Sequence, residues 1–361
     1  MPQPSIAELR TIIEQLIDPY RDIALAQVVL IKNIHWSGET LELKLVTSYP
    51  AKGASQSFEV LIRKALAKVG VQAVILEIEI KIQRQAIARH LEPIAAIKNI
   101  IAIASGKGGV GKSSVAINLA LAIQAEGARV GLLDADIYGP SQPHMLAAGL
   151  AESAEVSKDL KPRLAFGLQT MSIGYLVAKN AGVLWRGPMV SSALTQLLQQ
   201  TEWQDLDYLI VDLPPGTGDI QLTLTQKLPL TAALMVTTPQ EIAVIDARRA
   251  MALFHKLHIP VLGIIENMSG HVCSHCHHRE ALFGEGGGQS MAEEYKIPLL
   301  GQLPLDRSIQ ELLDAGKPPL AVDPESANSL LYRELARRVT STLAGLPREY
   351  RVPGAKMRLQ D

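Results

Sequence analysis

Cysteine is almost missing from this chain. Among 361 residues there are two cysteines, Cys273 and Cys276, with two residues between them. A disulfide framework is excluded, and a reducing compartment fits. Aromatic residues are scarce at 4%, so the core must rest on Ile, Leu, Val and Ala. Neither sign of charge dominates, the formal net charge being -1. A general nucleic-acid binder needs a basic surface to neutralise phosphates, and none is expected here. Long apolar runs are lacking too. Ile97 to Ser105 is broken by Lys98 and Asn99, and no run reaches the roughly 20 residues that span a bilayer. Met1 to Arg10 lacks the apolar centre of a signal peptide. The expectation is a cytoplasmic protein with no membrane and no nucleic-acid partner.

What is present belongs to a folded chain. Hydrophobic residues at 47% and charged residues at 20% argue against disorder. The length predicts two domains. Residues 1–83 read as a small α/β accessory domain. Ser5 to Leu16 and Gln56 to Lys68 have helical spacing, while Gln27 to Lys32, Leu41 to Val46 and Val74 to Ile80 read as strands. Residues 84–98 are the expected linker, charged from Arg84 and containing Pro93, which disfavours a continued helix. From 99 to 345 the pattern changes. Short apolar runs (Ile100 to Ala104, Val130 to Leu133, Tyr208 to Val211, Ala232 to Val236, Val261 to Ile265) are separated by segments read as amphipathic, including Ser113 to Glu126. Such runs with crossover helices predict an α/β fold with a mostly parallel sheet covered by helices on both faces. Ser326 to Leu343 is a last helix, and residues 346–361 are expected to be a poorly ordered tail.

Gly106-Lys107-Gly108-Gly109-Val110-Gly111-Lys112-Ser113 fits G-x-x-x-x-G-K-[ST], with an apolar strand before it and a helix-forming run after it. Glycines let successive N–H groups face phosphates, and the helix adds the positive end of its dipole. Lys112 is expected to reach the phosphates and the Ser113 hydroxyl to ligate Mg²⁺. Ser114 completes the loop. Acids close two of the strands. Asp134 and Asp136 follow Leu132-Leu133, and Asp212 closes Leu209-Ile210-Val211. Carboxyl ends of strands are where ligands bind in such sheets. Asp136 is the candidate to orient the attacking water, with Asp134 and Asp212 supporting Mg²⁺ and Gly216 offering an N–H to the γ-phosphate. Asn267 ends a later strand, where its amide suits a purine edge. A P-loop ATPase is the fold and activity expected.

The extra lysine after the first glycine makes this loop a deviant Walker A, which resembles the MinD, ParA and nitrogenase iron-protein class. More narrowly, the chain resembles the Mrp-type ATPases that carry iron–sulfur clusters. The resemblance rests on the runs Asp134 to Ser141, Trp185-Arg186-Gly187-Pro188-Met189, Asp207 to Asp219, Glu266-Asn267-Met268-Ser269 and Phe283 to Gly288, and covers roughly Asn99 to Leu343. It implies a homodimer in which Lys107 reaches the nucleotide of the other subunit, as an arginine finger does. It also implies that Asn267 contacts adenine, with Leu303-Pro304-Leu305-Asp306 near the base.

Cys273-Ser274-His275-Cys276 spaces two thiolates to meet one metal centre, but one pair is half a site. His271, His275, His277 and His278 crowd it, and histidine suits zinc or a mixed site. A redox dithiol is disfavoured, since such pairs open a helix and this one lies in a loop. The resemblance implies a [4Fe–4S] cluster bridging two subunits, each giving Cys273 and Cys276, and transfer to apoproteins. Three alternatives stand beside this carrier: a positioning ATPase of the MinD or ParA type, a nitrogenase-like reductase, and a zinc-binding P-loop ATPase. The positioning ATPase needs an amphipathic basic tail or a basic surface, and Leu346 to Asp361 has no apolar face. In the small domain, Thr47 to Ala51 occupies the place where relatives carry a cysteine, and none is present.

Overall fold

The structure is a computed structural model that describes residues 3–88, 91–147, 160–176, 187–273, 275–276 and 278–348, without the side chains of 187–191 and 219. Trp185, Arg186, Ser274, His277 and the tail beyond 348 lie outside the described residues.

The first elements are α1 (Ile6–Glu14), β1 (Val29–Ser37), β2 (Thr40–Thr47), α2 (Ser55–Ala67) and β3 (Ala73–Ile80). Ser5 opens α1 with a capping box: its hydroxyl accepts from the Glu8 N–H, and the Glu8 carboxylate accepts from the Ser5 N–H. β2 lies between β1, antiparallel to it, and β3, parallel to it. Along β2 the side chains alternate. Leu41, Leu43 and Leu45 are buried in a core with Leu9 and Ile13 of α1 and Phe58 and Ile62 of α2. The Thr47 to Ala51 segment is part of this core, with the Tyr49 hydroxyl donating to Asp18 at 2.7 Å.

The larger sheet follows. In chain order its strands and helices are β4 (Ile97–Ser105), α3 (Lys112–Ala125), β5 (Val130–Asp134), α4 (Gln142–Met145), β6 (Arg163–Ala165), β7 (Leu168–Ser172), α5 (Gly187–Gln200), β8 (Leu206–Asp212), α6 (Asp219–Lys227), β9 (Ala232–Thr237), α7 (Glu241–Lys256) and β10 (Val261–Asn267). A hairpin of β11 (His271–Val272) and β12 (Arg279–Glu280) projects next. Then come α8 (Gly287–Tyr295), β13 (Leu299–Leu303), α9 (Arg307–Asp314), α10 (Pro319–Val322) and α11 (Ala327–Ala344). Sheet order is β13-β10-β9-β4-β8-β5-β7-β6, parallel throughout except for the edge strand β6. Alternate residues of β4 enter two cores: Ile101 and Ile103 on one face, Ile100, Ala102 and Ala104 on the other. Burial on both faces is why these strands read as unbroken apolar runs.

Two expectations about elements need correction. The helix from Ser113 is not amphipathic. Val115 to Ile123 are all buried, because α3 lies between the sheet and α11. Strands β6, β7 and β13 had no counterpart in the sequence reading. β6 has three residues with Leu164 exposed, and β13 is interrupted by Gly301 and Gln302, so neither shows an apolar run.

The expected linker is bonded to the large sheet's unit. Arg84 donates to the carbonyls of Ile94, Ala95 and Ile97, and the Ala88 N–H donates to Leu230. Glu126, which ends α3, is fully buried. It accepts from Arg333 at 3.0 Å, Arg337 at 2.7 Å and the Gly53 N–H at 2.7 Å. Among the described residues, no helix is long and apolar enough to cross a membrane.

Candidate functional site

The loop from β4 to α3 turns where two backbones nearly touch. A Cβ on Gly106 would lie 2.1 Å from the Asp246 carbonyl carbon in α7, so no larger residue fits. Gly111 caps α3 with φ +79, in the left-handed region open to glycine. Gly108 and Gly109 are exposed and Val110 is buried. Lys107 is half-buried, and among the described residues its ammonium has no ion-pair partner within 4 Å, while its carbonyl accepts from Ser105. Ser113 and Ser114 are half-buried in the first turn of α3, where the helix dipole is positive.

The acids predicted at strand ends converge on Lys112. β5 and β8 are neighbours, and Asp134 faces Asp212 in register. The Lys112 ammonium is buried and paired with Asp212; it lies 3.8 Å from Asp136 and 3.3 Å from the Ser113 hydroxyl. Asp134 is fully buried. One of its oxygens accepts from the Asp136 N–H, the other from the Gln142 N–H and the Ser172 hydroxyl. Burial, and then the Asp212 charge, push the Asp134 carboxyl up to about 8. Burial also raises Asp136, against the opposing pull of Lys112. The Gly216 N–H, offered to the γ-phosphate in the sequence reading, donates here to the Ser105 carbonyl.

Gln142 and Ser172 escaped the sequence reading. Gln142 donates to Asp212 and to the Ser113 carbonyl, yet a lone amide after Ser141 carries no recognisable spacing. Asn267 has a contact that its position at a strand end did not disclose. Its Nδ2 donates to the Val110 carbonyl at 2.9 Å, latching the end of β10 to the glycine loop. Next to it, buried Glu266 accepts from the Ser269 hydroxyl, the Gly288 N–H and Gln302.

Met268, Ser269 and Gly270 join this latch to the cysteine hairpin. Cys273 is half-buried and Cys276 exposed, both free thiols in the turn between β11 and β12. The Cys273 N–H donates to the His278 carbonyl. The Cys276 N–H, then the His275 N–H and the Cys276 thiol, hold the Cys273 thiol below its usual range. Among the described residues, no group of three or more His, Cys, Asp or Glu side chains is placed to hold a metal. The Leu303 to Asp306 segment is bonded to the hairpin root: Ser269 donates to Leu303, and Leu305 to Gly270. A cavity of about 1070 Å³ opens there, with Cys273, His271, Arg279, Asp306 and Asn328 in its wall.

Comparison with known proteins agrees with this layout. The family model ParA, described as NUBPL iron-transfer P-loop NTPase, matches residues 96–340. The iron-sulfur cluster carrier protein of Salmonella typhimurium is 50% identical over 318 residues, which cover 86% of this chain and 85% of that protein. Among solved structures, a nucleotide-binding protein from Archaeoglobus fulgidus in complex with ADP is 36% identical, with a TM-score of 0.56 over 66% of this chain and 92% of its own. The cell division ATPase MinD of Pyrococcus furiosus, 22% identical with a TM-score of 0.51 over 67% of this chain and 98% of its own, shares the fold. With a glycine loop, strand-end acids and family match all within one sheet, the chain belongs to the NUBPL iron-transfer P-loop NTPase family.

Proposed function

We propose that this protein binds and hydrolyses ATP and carries a [4Fe–4S] cluster, held between two copies of the chain, to apoproteins. One observation carries the reading: the latch from Asn267 to the Val110 carbonyl stands three residues from the root of the hairpin bearing Cys273 and Cys276. A nucleotide that moves the glycine loop thereby pulls on the strand end from which the hairpin leaves. Nucleotide state and cluster geometry become mechanically joined.

On this reading Gly106 to Ser114 wraps the phosphates. The phosphates draw the Lys112 ammonium away from Asp212, which frees that carboxylate. Ser113 and Asp212, with Asp134 behind them, are hard oxygen donors of the kind that suits Mg²⁺. When bound, the ion would neutralise charge on the β- and γ-phosphates. Asp136, its carboxyl already raised by burial, orients the attacking water and accepts its proton. Lys107, with no ion-pair partner among the described residues, serves the nucleotide of the second copy. Asn267 adds adenine recognition, and Gly216 turns its N–H to the γ-phosphate in that state.

The cluster is cargo. Two thiols per chain are half of the usual four-thiolate set, and a second copy supplies the rest. An accessory domain (1–83), linker (84–98), ATPase domain (99–345) and tail (346–361) complete the proposed division. The working compartment is the cytoplasm, where thiols stay reduced.

Anaerobic reconstitution with iron and sulfide tests the proposal. Wild type should gain visible cluster absorption, with iron and sulfide content of one cluster per dimer. Cys273→Ala/Cys276→Ala should gain neither. Zinc without iron in the wild type, or an unchanged spectrum in the double variant, would sink the carrier reading. Lys112→Ala should lose ATP binding in calorimetry, independently of the cluster.

A further inference from the structure

Gln142 lies at the first position of α4, 1% exposed, among the acids and the first turn of α3. Its Nε2 donates to Asp212 Oδ2 at 2.9 Å and to the Ser113 carbonyl at 3.0 Å. Its backbone N–H donates to Asp134 Oδ2 at 3.2 Å. A carboxylate and a carbonyl have no proton to give, so the end of the amide facing them must be nitrogen. The other end, Oε1, is buried and has no hydrogen-bond partner among the described residues. Native sites leave few such acceptors unpaired, because desolvating them is costly.

Oε1 needs a donor. Ionised phosphate oxygens cannot provide one. A water held on a divalent cation is a strong donor, and the two groups bridged by Nε2 are the Asp212 carboxylate and the residue that carries the Ser113 hydroxyl. Both are oxygen groups suited to such a cation, and groups behind a metal's ligands commonly orient them.

We propose that Gln142 is a positioning residue for the divalent cation that accompanies the nucleotide. Nε2 aims Asp212 and ties it to the turn that carries Ser113, while Oε1 accepts a hydrogen bond from a cation-bound water. The inference rests on the nucleotide reading given above and adds a determinant of metal affinity to it.

Calorimetric ATP titrations in EDTA and in Mg²⁺, on full-length wild type, Gln142→Met and Gln142→Asn, test it. Met keeps the volume without polar atoms, and Asn keeps an amide one methylene short of Asp212. Mn²⁺ affinity of each ADP complex, read by electron paramagnetic resonance, gives a second measure. Both variants should keep the EDTA affinity and lose about tenfold of the gain conferred by Mg²⁺, with a parallel fall in Mn²⁺ affinity. An undiminished Mg²⁺ gain would overturn the role while leaving the nucleotide site standing. An equal loss in both buffers would assign Gln142 a structural part and overturn it too. Wild type that binds no ATP in either buffer would instead sink the reading beneath it. Should Gln142→Met fail to fold, Gln142→Asn decides alone.

Discussion

Position 111 needs glycine for two independent reasons. Its φ of +79 lies in the left-handed region, which costs an L-residue about 1–2 kcal/mol. A Cβ there would also stand 2.2 Å from Asn267 Nδ2, so the amide must move and release the Val110 carbonyl, at roughly 1 kcal/mol more. Gly111→Ala is therefore expected to weaken ATP binding at least about tenfold in calorimetry. Wild-type affinity would mean the latch does not hold the loop in shape. Lys107 makes the opposite case, a residue proposed to act on the nucleotide of a second copy. Lys107→Ala should still bind ATP but fail to dimerise with it; an ATP-dependent dimer of normal strength in sedimentation velocity would remove the intersubunit role.

Adjacent strands are tied at their entry edge by Asp207 of β8. It accepts from Lys98 of β4 at 2.7 Å and from Arg129, just before β5, through backbone and guanidinium at 3.0–3.1 Å. Burial alone would raise the Asp207 carboxyl, but the bonds from Arg129 and Lys98 outweigh it and hold the group below its ordinary value. A depressed carboxyl stabilises the fold above its unfolded pKa, about 3.9, and loses that contribution as pH falls through the folded pKa. Asp207→Asn should cost about 1–3 kcal/mol near pH 7. In urea unfolding the gap to wild type should close only below about pH 4. A gap of constant size across the acid limb would rule out the ionic origin. In contrast to this tie, the helical spacing that made α3 look amphipathic failed, because α11 covers the face that would otherwise meet water.

For the molecule as a whole, the junction at Glu126 matters most. α3 carries the glycine loop at one end and Glu126 at the other, about 21 Å apart at 1.5 Å per residue. Arg333 and Arg337 of α11 and the Gly53 N–H of the N-terminal unit all meet this one carboxylate. Removing it takes from the largely buried Arg337 guanidinium the one carboxylate it meets among the described residues, while Arg333 keeps Glu325 at 3.0 Å. Glu126→Ala should cost about 3 kcal/mol in urea unfolding, and hydrogen exchange should rise at Lys52 to Ala54 together with α11. A loss below about 0.5 kcal/mol would show the junction to be slack, as exposed ion pairs usually are.

Much of this protein is written locally. The glycine loop, the apolar strands closed by Asp134 and Asp212, and the paired cysteines are legible because backbone freedom, strand burial and thiol spacing depend on near neighbours in sequence. The small three-stranded unit is legible for the same reason, from the alternation along Leu41, Leu43 and Leu45. Other features form only when distant segments meet. Gln142 finds Asp212 across 70 residues, Asn267 finds Val110 across 157, and Arg337 finds Glu126 across 211. No periodicity encodes such pairs. They are set by the order of strands in the sheet and by which helix covers which face, and there the tertiary structure alone decides.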